Sequence, residues 1–123
     1  MTVDRPLTVF AALCGALAVA LGAFAAHGAG PQVKTLLTTG AHYQIVHALL
    51  ALVCAAWPSR NRLVSVAGWL AGGGGLVFGL ALASIGLLKL PVMGAVAPVG
   101  GVLMIAGWLF LGWAVFRSHS VKA

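Results

Sequence analysis

The sequence predicts an all-α membrane protein, a bundle of four antiparallel transmembrane helices, and three observations carry that reading. Residues 7–26, 41–57, 63–88 and 98–116 form four apolar blocks without a single Asp, Glu, Lys or Arg. The charges stand in the short gaps between them: Asp4 and Arg5, then Lys34, Arg60 and Arg62, Lys89, and finally Arg117 and Lys122. With 62% hydrophobic and 7% charged residues among 123, and a mean hydropathy of +1.10, no block has the charged face that a soluble helix turns to water. A helix needs about 20 apolar residues to cross a hydrocarbon core of about 30 Å. The chain therefore reads as one membrane domain, 1–123, with spans at about 7–26, 39–57, 63–88 and 98–116.

The first span opens on Arg5-Pro6 and closes on His27-Gly28 with Gly30-Pro31 behind it, ordinary helix-stop chemistry. Ala23-Phe24-Ala25 resembles a secretory cleavage site, yet an apolar stretch of about 20 residues exceeds the usual signal core, so the segment reads as a retained span. The second span is shorter in its apolar part. Residues 45–57, apart from His47, would cover only about 20 Å. To cross the membrane this helix has to start near Thr38 to Ala41, which draws His42, Tyr43, Gln44 and His47 into the lipid. Pro58-Ser59-Arg60-Asn61-Arg62 makes a polar turn, and the third span then runs long enough to cross with tilt. Lys89 and Pro91 end it, residues 92–97 form an apolar link at the interface, and Pro98 suits the first turn of the fourth span. Links this short join antiparallel neighbours.

Basic residues set the orientation. The side of the N-terminus, second link and C-terminus holds Arg5, Arg60, Arg62, Arg117 and Lys122, against Lys34 and Lys89 on the other. That asymmetry places both termini in the cytoplasm, and Trp57 and Trp113, with Trp69 and Trp108 within two turns, read as an aromatic belt on that side. The localisation implied is a cell membrane, crossed several times, and the bacterial inner membrane if the source is bacterial. A net charge of +6 does not imply nucleic acid, because the seven basic residues form no stripe. Cys14 and Cys54 lie within separate spans, read as small hydrophobes, and make neither a disulfide framework nor a metal pattern.

Small residues mark the packing faces. Gly68, Gly72, Gly75, Gly79, Ala83 and Gly86 fall within an arc of about 80° on the third span. Ala11, Gly15, Ala18, Gly22 and Ala25 make a matching stripe on the first. Lipid supplies no hydrophobic drive to helix association, so such stripes let backbones approach closely; spans one and three, or two protomers, are the expected pairs.

The candidate polar site is His27, His42, Tyr43, Gln44 and His47. Tyr43 and His47 share a helix face four residues apart, near the midplane, where ionisable groups face the bundle interior. Two readings stand: hydrogen-bonded glue between helices, or a functional site. His27 and His42 sit at neighbouring span ends and could approach, but His42 and His47 lie about 140° apart, a poor pair for one metal. No metal and no cofactor is expected, a His-ligated metal or haem membrane protein being the least favoured alternative, and His119 lies in the C-terminal tail.

The segments Gly22-Ala23-Phe24-Ala25-Ala26-His27-Gly28, Tyr43-Gln44-Ile45-Val46-His47-Ala48-Leu49 and Gly94-Ala95-Val96-Ala97-Pro98-Val99-Gly100-Gly101, with Ala106-Gly107-Trp108 after them, resemble the signatures of the YgdD-like family, domain of unknown function 423. The likeness runs from span one to span four. It implies a small four-helix inner-membrane protein without an assigned activity, and singles out His27, Tyr43, Gln44, His47, Pro98 and Gly101. The chain departs from the family in a shorter first link, in residues 78–83 without Ser and Tyr beyond Phe78, and in Ala97 where Thr is usual.

Two functions from different classes remain. The first is a non-enzymatic membrane protein acting through helix packing, with the lipid bilayer and a second copy or another membrane protein as partners. The second is a small oligomeric transporter or channel using Tyr43, Gln44 and His47, with proton coupling through His47, because the span at 7–26 holds no carboxylate. An enzyme is not expected. Asp4 is the only acid in the chain, so neither a Ser-His-Asp set nor a carboxylate pair can be assembled within the bundle.

Overall fold

A computed structural model describes residues 3–59 and 61–117; Arg60, His119 and Lys122 lie outside them. Four helices follow one another: α1 (Arg5–His27), α2 (Pro31–Ala55), α3 (Arg62–Leu87) and α4 (Ala97–Phe116), with a 3-10 turn at Pro91–Ala95 before α4. All four are long and apolar enough to cross a membrane. The protein is an all-α, multi-pass membrane protein.

Local chemistry sets each start. Asp4 caps α1 by accepting from the Leu7 N–H at 3.3 Å, with Pro6 in the first turn. Asn61 caps α3 by accepting from the Leu63 N–H at 2.9 Å. After α3 the chain reverses through Lys89, whose φ of 54° is left-handed, and the Leu90 N–H returns to Ser84 O at 3.3 Å.

α2 differs most from the sequence reading. It begins at Pro31, not near residue 39, and the first link shrinks to residues 28–30. The polar stretch Gln32 to Thr39 looked like a link because it is hydrophilic, but hydrophilicity does not break a helix. Pro31 fits a first turn, and no breaker follows until Gly40. Gly40 is kept in the helix by packing: a Cβ there would stand 3.2 Å from Gly79 Cα. The other boundaries move by one or two residues, α1 to Arg5–His27, α3 to Arg62–Leu87 and α4 to Ala97–Phe116.

α3 is the central helix. It packs along α2 on one side and α4 on the other, while α1 lies mainly on α2 and meets α3 over a short stretch. Consequently both small-residue stripes face α2, which corrects the expected pairing of spans one and three. On α1, Gly15 faces Ile45 and Ala48, and Gly22 faces Ala41. On α3, Gly75 faces His47 and Gln44, and Gly86 faces Val33 and Leu36 on the early turns of α2. α1 reaches the stripe through Leu7 at Gly68 and Phe10 at Gly72, and its Ala25 shares a cluster with Ala83 at the far end.

A second small face of α3, about 110° round from the first, takes α4. A Cβ at Gly74 would sit 2.7 Å from Met104 N and 2.8 Å from Gly100 O, and one at Gly107 would sit 2.8 Å from Ala71 Cβ. The apolar core fills the end that holds both termini, where Leu7, Ala11, Leu50, Ala51, Cys54, Val64, Ala67, Ala71 and Ala114 are buried together. Leu37, Ala25 and Ala83 make a smaller cluster at the opposite end. Between them lies a polar layer.

Candidate functional site

That layer is built by α2. Gln44 and His47 are the buried polar residues among those described, at 1% and 5% exposure. They lie three apart on the side of α2 that meets Gly75 and Gly79 of α3, so the glycines make the room they occupy. Gln44 Nε2 donates to the Cys14 carbonyl of α1 at 2.9 Å, using a lone pair that the helix leaves free. Its Oε1 is buried without a hydrogen-bond partner. It rests on Gly79, where any Cβ would overlap it, so its contact there is at best a weak Cα–H···O interaction.

His47 is held at both nitrogens. Trp108 Nε1 of α4 donates to His47 Nε2 at 3.0 Å, and His47 Nδ1 lies 2.6 Å from the Tyr43 carbonyl. An indole N–H can only donate, so Nε2 must accept and the ring is the neutral tautomer protonated at Nδ1. The Nδ1–H then donates to the Tyr43 carbonyl oxygen. Gln44 and His47 thus tie α2 to α1 and to α4, two helices with no extensive contact between them among the described residues.

The five sequence candidates therefore divide. Gln44 and His47 are interior. Tyr43 is 46% exposed, its ring centred 5.3 Å from Phe78 and 6.4 Å from His47. His42 is exposed, with its ring edge-on to Tyr43 at 5.8 Å. His27 ends α1 exposed and joins none of these contacts. Of the motif positions, Pro98 is exposed in the first turn of α4, and Gly101 has open space beside it; the tight contact belongs to its neighbour Gly100. Among the described residues no three His, Cys, Asp or Glu side chains gather as a metal site.

Two participants were missed in the sequence. Trp108, read as part of an aromatic belt, gives its N–H to His47 instead. A signal was there: His47 lies eight residues before the end of α2 at Ala55, and Trp108 eight before the end of α4 at Phe116, so both sit at one depth. Asp4, read only as a charge outside the bundle, ties three helices together. Its N–H donates to Ala55 O at 2.9 Å, its Oδ1 caps α1, and Ser65 Oγ of α3 donates to its Oδ2 at 2.9 Å. An Asp two residues before a Pro that opens an apolar run is an N-cap signal, and the cap was legible even though the link to Ser65 was not.

The comparisons with known proteins agree on one family. The model of "Protein of unknown function (DUF423)" matches residues 21–101. A UPF0382 membrane protein of Haemophilus influenzae is 35% identical over 117 residues, covering 89% of this chain and 93% of that protein. UPF0382 membrane proteins of Staphylococcus haemolyticus and Staphylococcus aureus are each 32% identical over 114 residues, with the same coverage. No solved structure matches significantly.

Proposed function

The chain belongs to the DUF423 family of membrane proteins, and we propose that it acts there without chemistry of its own, both termini cytoplasmic, by associating through α2 with a second copy or with another membrane protein. One observation carries this reading. His42 and Tyr43 point out of the protein, and neither the His42 ring nor the Tyr43 hydroxyl has a hydrogen-bond partner among the described residues. Both belong to the hydrocarbon. With 25 residues α2 is about 37 Å long, so only about 7 Å of it can lie outside a 30 Å core. His42, about 16 Å from the Pro31 end, is then at least about 9 Å deep. Lipid tails offer no hydrogen bonds, and each polar group left alone there costs several kcal/mol. A neutral imidazole carries one donor and one acceptor, so two copies meeting around a two-fold axis along the membrane normal bring His42 to His42 at equal depth, where the N–H of one ring donates to the bare nitrogen of the other.

Cysteine cross-linking in vesicles tests it. In a background without Cys14 and Cys54, Thr38→Cys, one turn from His42, should form a covalent dimer on oxidation, whereas Val102→Cys on the outer face of α4 should not. His42→Leu should lower the Thr38→Cys yield several-fold. A Thr38→Cys yield no greater than that of Val102→Cys removes self-association through α2.

A transporter or channel is the second reading, favoured by the run of rings from Tyr43 through His47 to Trp108 along the junction of α2 and α4. A proton can reach His47 Nε2 only if Trp108 lets go, so proton uptake would loosen α4 from α2. Proton flux into the same vesicles, abolished by His47→Gln, distinguishes this reading.

A further inference from the structure

At the end of the bundle that holds the termini, a pocket of ≈ 400 Å³ opens between the start of α1, the end of α2 and the start of α3. Its apolar walls include Cys54, Trp57 and Val64, and its polar lining includes Asp4, Arg62 and Ser65. The chain's only side-chain carboxylate and Arg62 thus line one pocket, yet among the described residues Asp4 makes no ion pair. Its bonds go to the Leu7 N–H and the Ser65 hydroxyl. A carboxylate offers about four lone-pair sites, which leaves about two unused. Capping does not explain the charge, because Asn or Ser caps a helix as well as Asp.

The geometry points to a binding site for a zwitterionic headgroup, a primary ammonium carried beside a phosphate. The ammonium donates to the free lone pairs of Asp4, and Arg62 takes the phosphate through its planar fork of N–H donors. The pocket lies at helix ends, the level at which phospholipid headgroups sit, with Trp57 as an interfacial ring beside it. Phosphatidylethanolamine carries this chemistry in the bilayer, and free glycerophosphoethanolamine carries it in solution. A choline headgroup has no N–H to give Asp4, and a glycerol headgroup has no cation. The site is independent of any association through α2.

Lipid retention by the full chain, read by native mass spectrometry from detergent with equimolar lipids, tests the assignment. Phosphatidylethanolamine should be retained about tenfold over phosphatidylcholine and phosphatidylglycerol, the size of one charge-assisted hydrogen bond. Asp4→Asn keeps an oxygen to accept from the Leu7 N–H and puts an NH2 that can donate to the Ser65 hydroxyl oxygen in place of the other, so the fold should persist while the preference disappears. Arg62→Gln touches no bond that holds the helices and should weaken retention of phosphatidylethanolamine on its own, which keeps the test valid if Asp4→Asn fails to fold. Displacement by glycerophosphoethanolamine assigns the site to the headgroup alone; resistance to it assigns the site to the intact lipid. Equal retention of the three lipids by the unaltered chain, or a preference that survives both substitutions, overturns the proposal.

Discussion

His47 shows how much one hydrogen bond decides at the scale of a residue. Its Nε2 accepts from Trp108 at 3.0 Å, which fixes the tautomer, leaves the ring neutral and joins α4 to α2. Trp108→Phe keeps a large ring and deletes the donor. It should destabilise the protein by about 0.6–1.7 kcal/mol, from the average to the maximum for hydrogen bonds between membrane helices. Trp113→Phe removes an indole that stacks on Phe116 and makes no hydrogen bond to another helix, so it should cost less. Unfolding in mixed micelles compares the two, and equal effects would show that the Trp108 N–H does not hold α4. The cluster was half legible in the sequence. A polar run inside a span too short without it had to be immersed, and that argument identified Gln44 and His47. Which partner each one takes depends on neighbours brought close by folding, and no spacing within α2 contains that information.

α3 shows the same division at the scale of an element. Its glycine stripe was visible in the spacing of Gly68, Gly72, Gly75 and Gly79, but the helix it serves was not. The sequence paired it with α1 or with a second protomer, and in the structure it lies on α2, where Gly75 and Gly79 admit His47 and Gln44. The second small face, Ala67, Ala71 and Gly74, went unnoticed because two of its three members are alanines in a chain rich in alanine. Four positions test both faces. Gly74→Leu and Gly107→Leu drive a side chain into the facing backbone and should each cost about 1–3 kcal/mol or more. Gly73→Leu and Gly112→Leu enter open space and should be close to neutral. Thermal aggregation in detergent ranks the four, and uniform tolerance would mean that α3 and α4 do not pack closely there.

For the molecule as a whole, the basic residues at the span ends predict which way it faces. The proposed orientation rests on the basic residues at the ends of the spans, and labelling of single cysteines tests it. In a background without Cys14 and Cys54, Ser59→Cys should react only from the cytoplasmic side and Gln32→Cys only from the other. Reaction of Ser59→Cys from outside reverses the orientation and with it the leaflet that the Asp4 pocket faces.

The sequence by itself determined that this is a membrane protein with four helices long and apolar enough to cross, and roughly where each helix but the second begins and ends. These follow from the hydropathy of each segment taken alone, since a segment partitions into lipid by its own transfer energy whatever its neighbours are. The start of α2 escaped because hydropathy reports where lipid begins, while helix propensity and packing decide where the helix does. Only the tertiary structure decided that α3 is central, that α1 rests on α2, that Trp108 belongs to His47, and that Asp4 joins three helix ends around a pocket. Lipid receives every apolar face equally, so partners in a membrane are chosen by close fit between small residues and by donors meeting acceptors at one depth. Both are properties of pairs, and pairs exist only once the helices have come together.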